Sequence, residues 1–166
     1  MTPLSEFEQR LSVSEDAAIP LLVIRLPALE QTAWREGLRK ARALERRASR
    51  ALSRAASNVL RAGDILAHEA GSDVFLAALT APTRDGAASD RIDARSALAR
   101  ISAMMESVIR MDVDTGWTQY APRVDGGAMA NVITRALVRG AQERERYAFF
   151  SALGHELRTP LSSIHG

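Results

Sequence analysis

From Leu29 to Ala62 the chain runs without a proline and with a single glycine, Gly37, through alanine, leucine, arginine and glutamate. Those residues give up little side-chain freedom in a helix, so the stretch is expected to be one long helix, with a possible break at Gly37. Leu38, Ala41, Ala48, Leu52, Ala55 and Val59 recur at three- and four-residue spacing and form one apolar face. Arg35, Arg39, Arg42, Arg46, Arg50 and Arg54 recur in the same way and, at about 100° per residue, fall roughly opposite. One face is core and the other is a line of guanidinium groups. As a solvated helix face that line needs no partner; its other readings are an acidic partner or another protomer.

Ahead of this helix, Ile19-Pro-Leu-Leu-Val-Ile-Arg-Leu26 is a short run of branched apolar residues closed by Pro27, too short for a buried helix and expected to be a buried strand. Met1 to Ser12 is polar and reads as a short helix or lead-in. Gly63-Asp64 ends the long helix. Ile65–His68, a turn at Glu69-Ala-Gly-Ser72 and the run from Val74 to Thr80 then read as a β-hairpin. Thr83–Ser89 is a polar loop. Asp90–Arg110 is helical, with Ile92, Leu98, Ile101, Met105 and Val108 on its buried side. Met111–Tyr120 is a further strand, Pro122–Gly127 a turn, and everything from Ala128 helix. Strand, helix, hairpin, helix, strand, helix is the order of an α/β (α+β) domain with helices packed on a small mixed sheet. His68 reads as a half-buried strand residue, and Trp117 and Tyr120 as packing.

Composition narrows the function classes. With no cysteine among 166 residues, disulfide frameworks, thiolate zinc sites and cysteine nucleophiles are excluded. No apolar run approaches the roughly 20 residues that cross a bilayer, so a cytoplasmic location with no membrane contact is expected. A net charge of +2 gives no reason to expect nucleic acid as a partner.

Chemistry concentrates at the C-terminus, in Phe149-Phe-Ser-Ala-Leu-Gly-His-Glu-Leu-Arg-Thr-Pro-Leu-Ser-Ser-Ile-His165. Phe150, Leu153, Leu157, Leu161 and Ile164 step by three or four, a seam suited to helix pairing. His155 lies off the seam, Glu156 is beside it, and Pro160 removes the hydrogen bond to the Glu156 carbonyl, so a bend is expected there. His-Glu-Leu-Arg-Thr-Pro-Leu, with Phe-x-x-x-Leu before it, resembles the H-box of sensor histidine kinases. That resemblance implies that His155 accepts the γ-phosphoryl group of ATP and that Glu156 acts as general base. It implies also that Thr159 orients water for dephosphorylating the partner. Arg158 and Pro160 match too; Gly154 departs from the usual serine. The resemblance further implies a homodimer through the C-terminal helix, forming a four-helix bundle, and a response-regulator receiver domain as partner. ATP with Mg2+ would be bound by a domain beyond Gly166, the chain being an N-terminal piece of a longer kinase.

The preceding part resembles, more sparsely, the GGDEF domain of diguanylate cyclases. Gly71-Ser-Asp-Val-Phe75 falls where that family carries Gly-Gly-Asp-Glu-Phe, Leu66-Ala-His68 precedes it, and Leu60-Arg-Ala-Gly-Asp64 fits the preceding helix end. Cyclase chemistry needs carboxylates to hold two divalent cations against a triphosphate. This chain has Arg25 in place of the family's metal-binding aspartate, and Val74 in place of the hairpin's acid. The resemblance therefore implies a degenerate domain that is not a cyclase. Arg61 and Asp64 resemble the family's product-inhibition site, which makes them a candidate nucleotide site, or else a helix cap and its turn. The expected organisation is a lead-in (1–17), a degenerate GGDEF-like sensor (18–127), a connecting helix (128–147) supported by Glu143 and Arg146, and the start of the phosphoacceptor helix (148–166). The functional expectation is a two-component histidine kinase. The alternative is a catalytically inactive GGDEF-like sensing module with a dimerising C-terminal helix.

Overall fold

The computed structural model describes residues 1–12, 18–81 and 91–162, the side chains of 91, 92 and 153–162 excepted. Its elements are α1 (Leu4–Ser12), β1 (Ile19–Arg25), α2 (Pro27–Glu36), α3 (Leu38–Val59), β2 (Ile65–His68), β3 (Val74–Ala78), α4 (Arg91–Ile109), β4 (Asp114–Tyr120), α5 (Pro122–Asp125) and α6 (Met129–Ser162). The expected polar loop Thr83–Ser89 lies outside the described residues.

The four strands form one sheet in the order β2-β3-β1-β4. Every pairing is antiparallel, with Ile24 opposite Phe75 on one side and Thr115 on the other. The α/β class is as expected; the sheet is antiparallel throughout rather than mixed. The reason is topological: each helical crossover carries the chain past one intervening strand, so strands that run parallel, β1 with β2 and β3 with β4, never become neighbours.

Helices cover both faces of the sheet. Leu22 and Ile24 of β1 point into one core with Leu29, Leu44, Leu52, Phe75, Ile101, Met105 and Trp117. Leu21 and Val23 point into the other with Phe7, Leu11, Leu76, Val132 and Ala136. A central strand buried on both sides needs apolar residues at every position, which is why this antiparallel strand reads as an unbroken hydrophobic run.

The long helical run is broken at Gly37, whose φ of 88° an L-residue would adopt only with strain. The break turns α3 so that Leu44, Ala48, Ala51, Leu52, Ala55 and Ala56 are buried. Leu38, expected in the core, is 67% exposed. In α4 the buried row continues by fours from Ile101 to Met105 to Ile109, so Val108 is exposed instead. The lead-in is part of the fold. Phe7 and Leu11 are fully buried, the Thr2 N–H donates to the Leu66 carbonyl at 2.9 Å, and the His68 N–H donates to Thr2 at 3.1 Å. Those bonds satisfy the outer edge of β2, which would otherwise offer open backbone groups.

Residues 128–147, expected to connect two domains, pack on the sheet through Met129, Val132 and Ala136. α6 lies so close to β4 that a methyl group on Gly140 would overlap the Thr115 carbonyl, and one on Gly116 the Ala136 carbonyl. Glu143 does not pair with Arg146. It meets Arg95 of α4 at 2.6 Å, a tie that holds α6 to the body, and Arg139 one turn back on α6 at 3.5 Å. Burial pushes the Glu143 carboxyl up, but the hydrogen bond and charge of Arg95, with Arg139, outweigh it and leave the group below its ordinary value. Tyr147, Phe149 and Phe150, further along α6, are exposed. Among the described residues no helix is long and apolar enough to cross a membrane.

Candidate functional site

The corner where β1 ends beside the β2–β3 hairpin brings together the residues that sequence comparison singled out. Strand register places Arg25 opposite Val74 on one side and Asp114 on the other. The guanidinium turns to the hairpin and donates from Nε to Asp73 Oδ2 at 2.7 Å, with Glu30 of α2 at 3.6 Å. The hydrogen bond to Asp73 leads the effects that hold Arg25 above its ordinary pKa, so the cation is permanent.

The turn is rigid for local reasons. Gly71 adopts φ 85°, and its N–H donates to Glu45 of α3 at 2.9 Å. The Ser72 hydroxyl accepts from the Val74 N–H at 3.1 Å. His68 stacks on Phe75 with ring centroids 4.1 Å apart and donates from Nε2 to the Ser72 carbonyl at 3.0 Å. Its place is the half-buried strand position expected.

Beside this corner lies an open cleft of about 470 Å³, lined by Arg25, Leu29, Ala33, Leu38, Ala41 and Asp73 among others. A neighbouring groove of about 630 Å³ runs along Arg42, Arg46, Ser49 and Arg50 to Gly71. The residues present do not fit a pair of divalent cations. A guanidinium fills the strand end, its bonded partner is the hairpin aspartate, and the next hairpin position is a valine. Among the described residues no group of three His, Asp or Glu could hold a metal ion.

The second candidate pair, Arg61 and Asp64, is brought together, but within the fold. Asp64 accepts from the Arg61 N–H and from the Ala81 N–H, both at 2.8 Å, latching the start of β2 to the segment that follows β3. The Arg61 guanidinium meets Asp93 of α4 at 3.3 Å. The cavity beside them, about 90 Å³, falls below the roughly 300 Å³ at which small-molecule sites begin. His155, Glu156 and Thr159 lie on α6, and their side chains are outside those described.

Glu45, Glu30 and Asp73 were missed as site residues. For Glu45 a signal existed, a lone acid inside an arginine run; the Arg25–Asp73 pair spans 48 positions, and its one signal was that both ends fall in the resemblance to a single site.

The architecture is that of the GGDEF domain. The LapD S helix-GGDEF-EAL chain of Vibrio cholerae, solved bound to c-di-GMP, superposes with a TM-score of 0.66 at 11% identity over 87% of this chain. This chain spans only 33% of that one's length. A Pseudomonas aeruginosa GGDEF domain gives 0.62 at 15% identity, covering 87% of this chain and 90% of its own. The P. aeruginosa diguanylate cyclase SiaD, solved with its activator SiaC, gives 0.62 at 14% identity over 88% of this chain and 56% of its own. At these identities the likeness shows the fold alone. No family model and no curated protein matches the sequence.

These findings correct the sequence reading. A histidine kinase with phosphoacceptor His155, base Glu156 and ATP as donor is not supported. The fold neighbours are GGDEF domains, and no phosphoacceptor-helix family model matches. The flat exclusion of the diguanylate cyclase class is corrected as well, since a cyclase stands among the structures that share this fold.

Proposed function

We propose that the chain is a signalling module of GGDEF fold that senses or regulates by binding. The observation that carries this reading is the 2.7 Å Arg25–Asp73 pair at the corner between β1 and the hairpin. Carboxylates that hold a metal pair leave their oxygens to the cations; here Asp73 already gives an oxygen to a guanidinium. The corner is thereby a rigid wall of the 470 Å³ cleft, with one face aliphatic and the other charged. The likeness to a cyclase crystallised with its activator, and to a chain solved with a cyclic dinucleotide, supports a signalling context.

The test incubates the purified chain with GTP and Mg2+, following product by chromatography and binding by thermal shift. The expected result is no cyclic dinucleotide formed and no Mg2+-dependent shift of the melting midpoint. Turnover of GTP, or GTP binding that requires Mg2+, overturns the reading.

A further inference from the structure

The charge on this molecule is segregated. Between Pro27 and Val59 stand eight of its 22 Lys/Arg but three of its 20 Asp/Glu, a net +5 that leaves the remainder at −3. Arg35, Arg39, Arg42, Arg46, Arg50 and Arg54 are all exposed, and none of them pairs with another described residue. By contrast Arg25, Arg61, Arg95, Arg135, Arg139 and Arg144 all hold carboxylates. Where this fold needs an arginine's charge internally, it supplies the acid; along α3 it does not.

Apolar surface adjoins this row. On either side of the bend at Gly37, Trp34 is 84% exposed and Leu38 is 67% exposed. Leu38 lines the 470 Å³ cleft together with Leu29, Ala33 and Ala41, an aliphatic lining that continues into the arginine groove through Arg42. Exposed tryptophan and arginine are the residues that dominate protein–protein binding energies, and large apolar side chains left this exposed mark contact sites.

We propose that the α2–α3 face docks an acidic, amphipathic segment of a partner protein. Its carboxylates lie along Arg42, Arg46 and Arg50, an aliphatic or aromatic anchor enters the cleft beside Leu38, and the segment passes over the bend at Gly37 that also carries exposed Trp34. The proposal rests on the regulatory reading above and names what that cleft binds. Charge complementarity sets the partner's sign, with the row from Arg42 to Arg54 rising about 18 Å along the helix, over three turns of an acidic helix laid beside it. The aliphatic lining sets its class. A nucleic acid would use the arginines and leave the aliphatic face of the cleft without a counterpart, whereas an amphipathic segment uses both.

The test uses the whole chain and a synthetic helical peptide of about 18 residues with glutamates every fourth position and two leucines on the same face. Controls are a scrambled peptide of equal composition and a single-stranded RNA of similar charge. Trp117 is 3% exposed and Trp34 is 84% exposed, so a blue shift in tryptophan emission reports burial of Trp34. The expected result is binding of the patterned peptide with that blue shift. Affinity should fall roughly tenfold in Arg46→Glu/Arg50→Glu, and again with salt rising from about 0.05 to 0.3 M. Leu38→Ser should weaken the patterned peptide alone. Equal binding of the scrambled peptide, tighter binding of the RNA, self-association abolished by Arg46→Glu/Arg50→Glu, or no binding each overturn the proposal. Mg2+-dependent GTP turnover, by contrast, removes the regulatory reading itself whatever the peptide does.

Discussion

Replacing Gly140 with alanine sets two known effects against each other, and the fold decides which wins. In an isolated helix, Gly→Ala stabilises by about 1 kcal/mol because glycine loses more backbone freedom on ordering. Here the added methyl overlaps the backbone carbonyl of Thr115 and presses on the Cα of Gly116, and neither can rotate away. α6 must lift from β4 by on the order of 1 Å, a gap that forfeits a quarter to a half of each dispersion contact along the seam. That seam includes Tyr120, Met129, Val132 and Ala136, each at most 5% exposed. Overpacking of this kind costs about 1–3 kcal/mol, and more where the obstacle is backbone. Because the obstacle is backbone, the upper part of that range, about 2–3 kcal/mol, applies, and the net is a destabilisation of about 1–2 kcal/mol, or roughly 2–8 °C in melting midpoint for a chain of this size. Gly116→Ala should do the same, since its methyl meets the Ala136 carbonyl. The double variant should fall short of additivity, because the lift that accommodates one methyl makes room for the other. Differential scanning calorimetry of the four proteins measures this. A raised midpoint for Gly140→Ala, the ordinary helix result, would refute the close approach of α6 to β4.

Further perturbations test other parts of the structure. Asp125 is held below its ordinary pKa of 3.8, chiefly by the hydrogen bond from Arg135 and against the effect of burial. A depressed carboxyl contributes stability above its unfolded pKa and loses it as pH falls through the folded one, so Asp125→Asn should lower the midpoint at pH 7 and the gap should close below about pH 3.8. Phe7→Ala removes a side chain buried at 0% exposure and should cost about 3–5 kcal/mol by urea titration; a loss under about 1 kcal/mol would mean that α1 is only a lead-in. Arg25→Ala leaves Asp73 without its hydrogen-bonded cation and should lower the melting midpoint relative to wild type; an unchanged midpoint would mean that the pair contributes nothing to the corner.

What the sequence disclosed of the fold follows from how local the cause was. β1 was legible because burial on both faces demands apolar residues at consecutive positions, Leu21 to Ile24, and nothing distant alters that. The hairpin was legible because Gly71 permits the positive φ its turn needs. The direction of Leu38 was not, since it depends on how far α3 swings at Gly37. The role of Phe7 was not either, because the surface it fills is assembled from β1, β2 and α6, all later in the chain.

The same distinction separates the two halves of the functional reading. Arg25 at the end of a strand is a substitution of charge sign, and its consequence at the hairpin survives any detail of packing, since a guanidinium near a carboxylate pairs with it. The run around His155 is different in kind. All seven of its matched residues sit within one helix, and a helix encodes only which residues share its faces. Nothing in such a run constrains the strand order, the crossovers or the cores that occupy the preceding residues. The pairing of β1 between β3 and β4 is set by contacts as far apart as Ile19 and Tyr120, and it is those contacts that align with GGDEF domains over 87% of the chain. A local motif can supply a reactive group; only the long-range packing determines what that group is built into, and here that packing is the GGDEF-like α/β fold expected of the preceding residues.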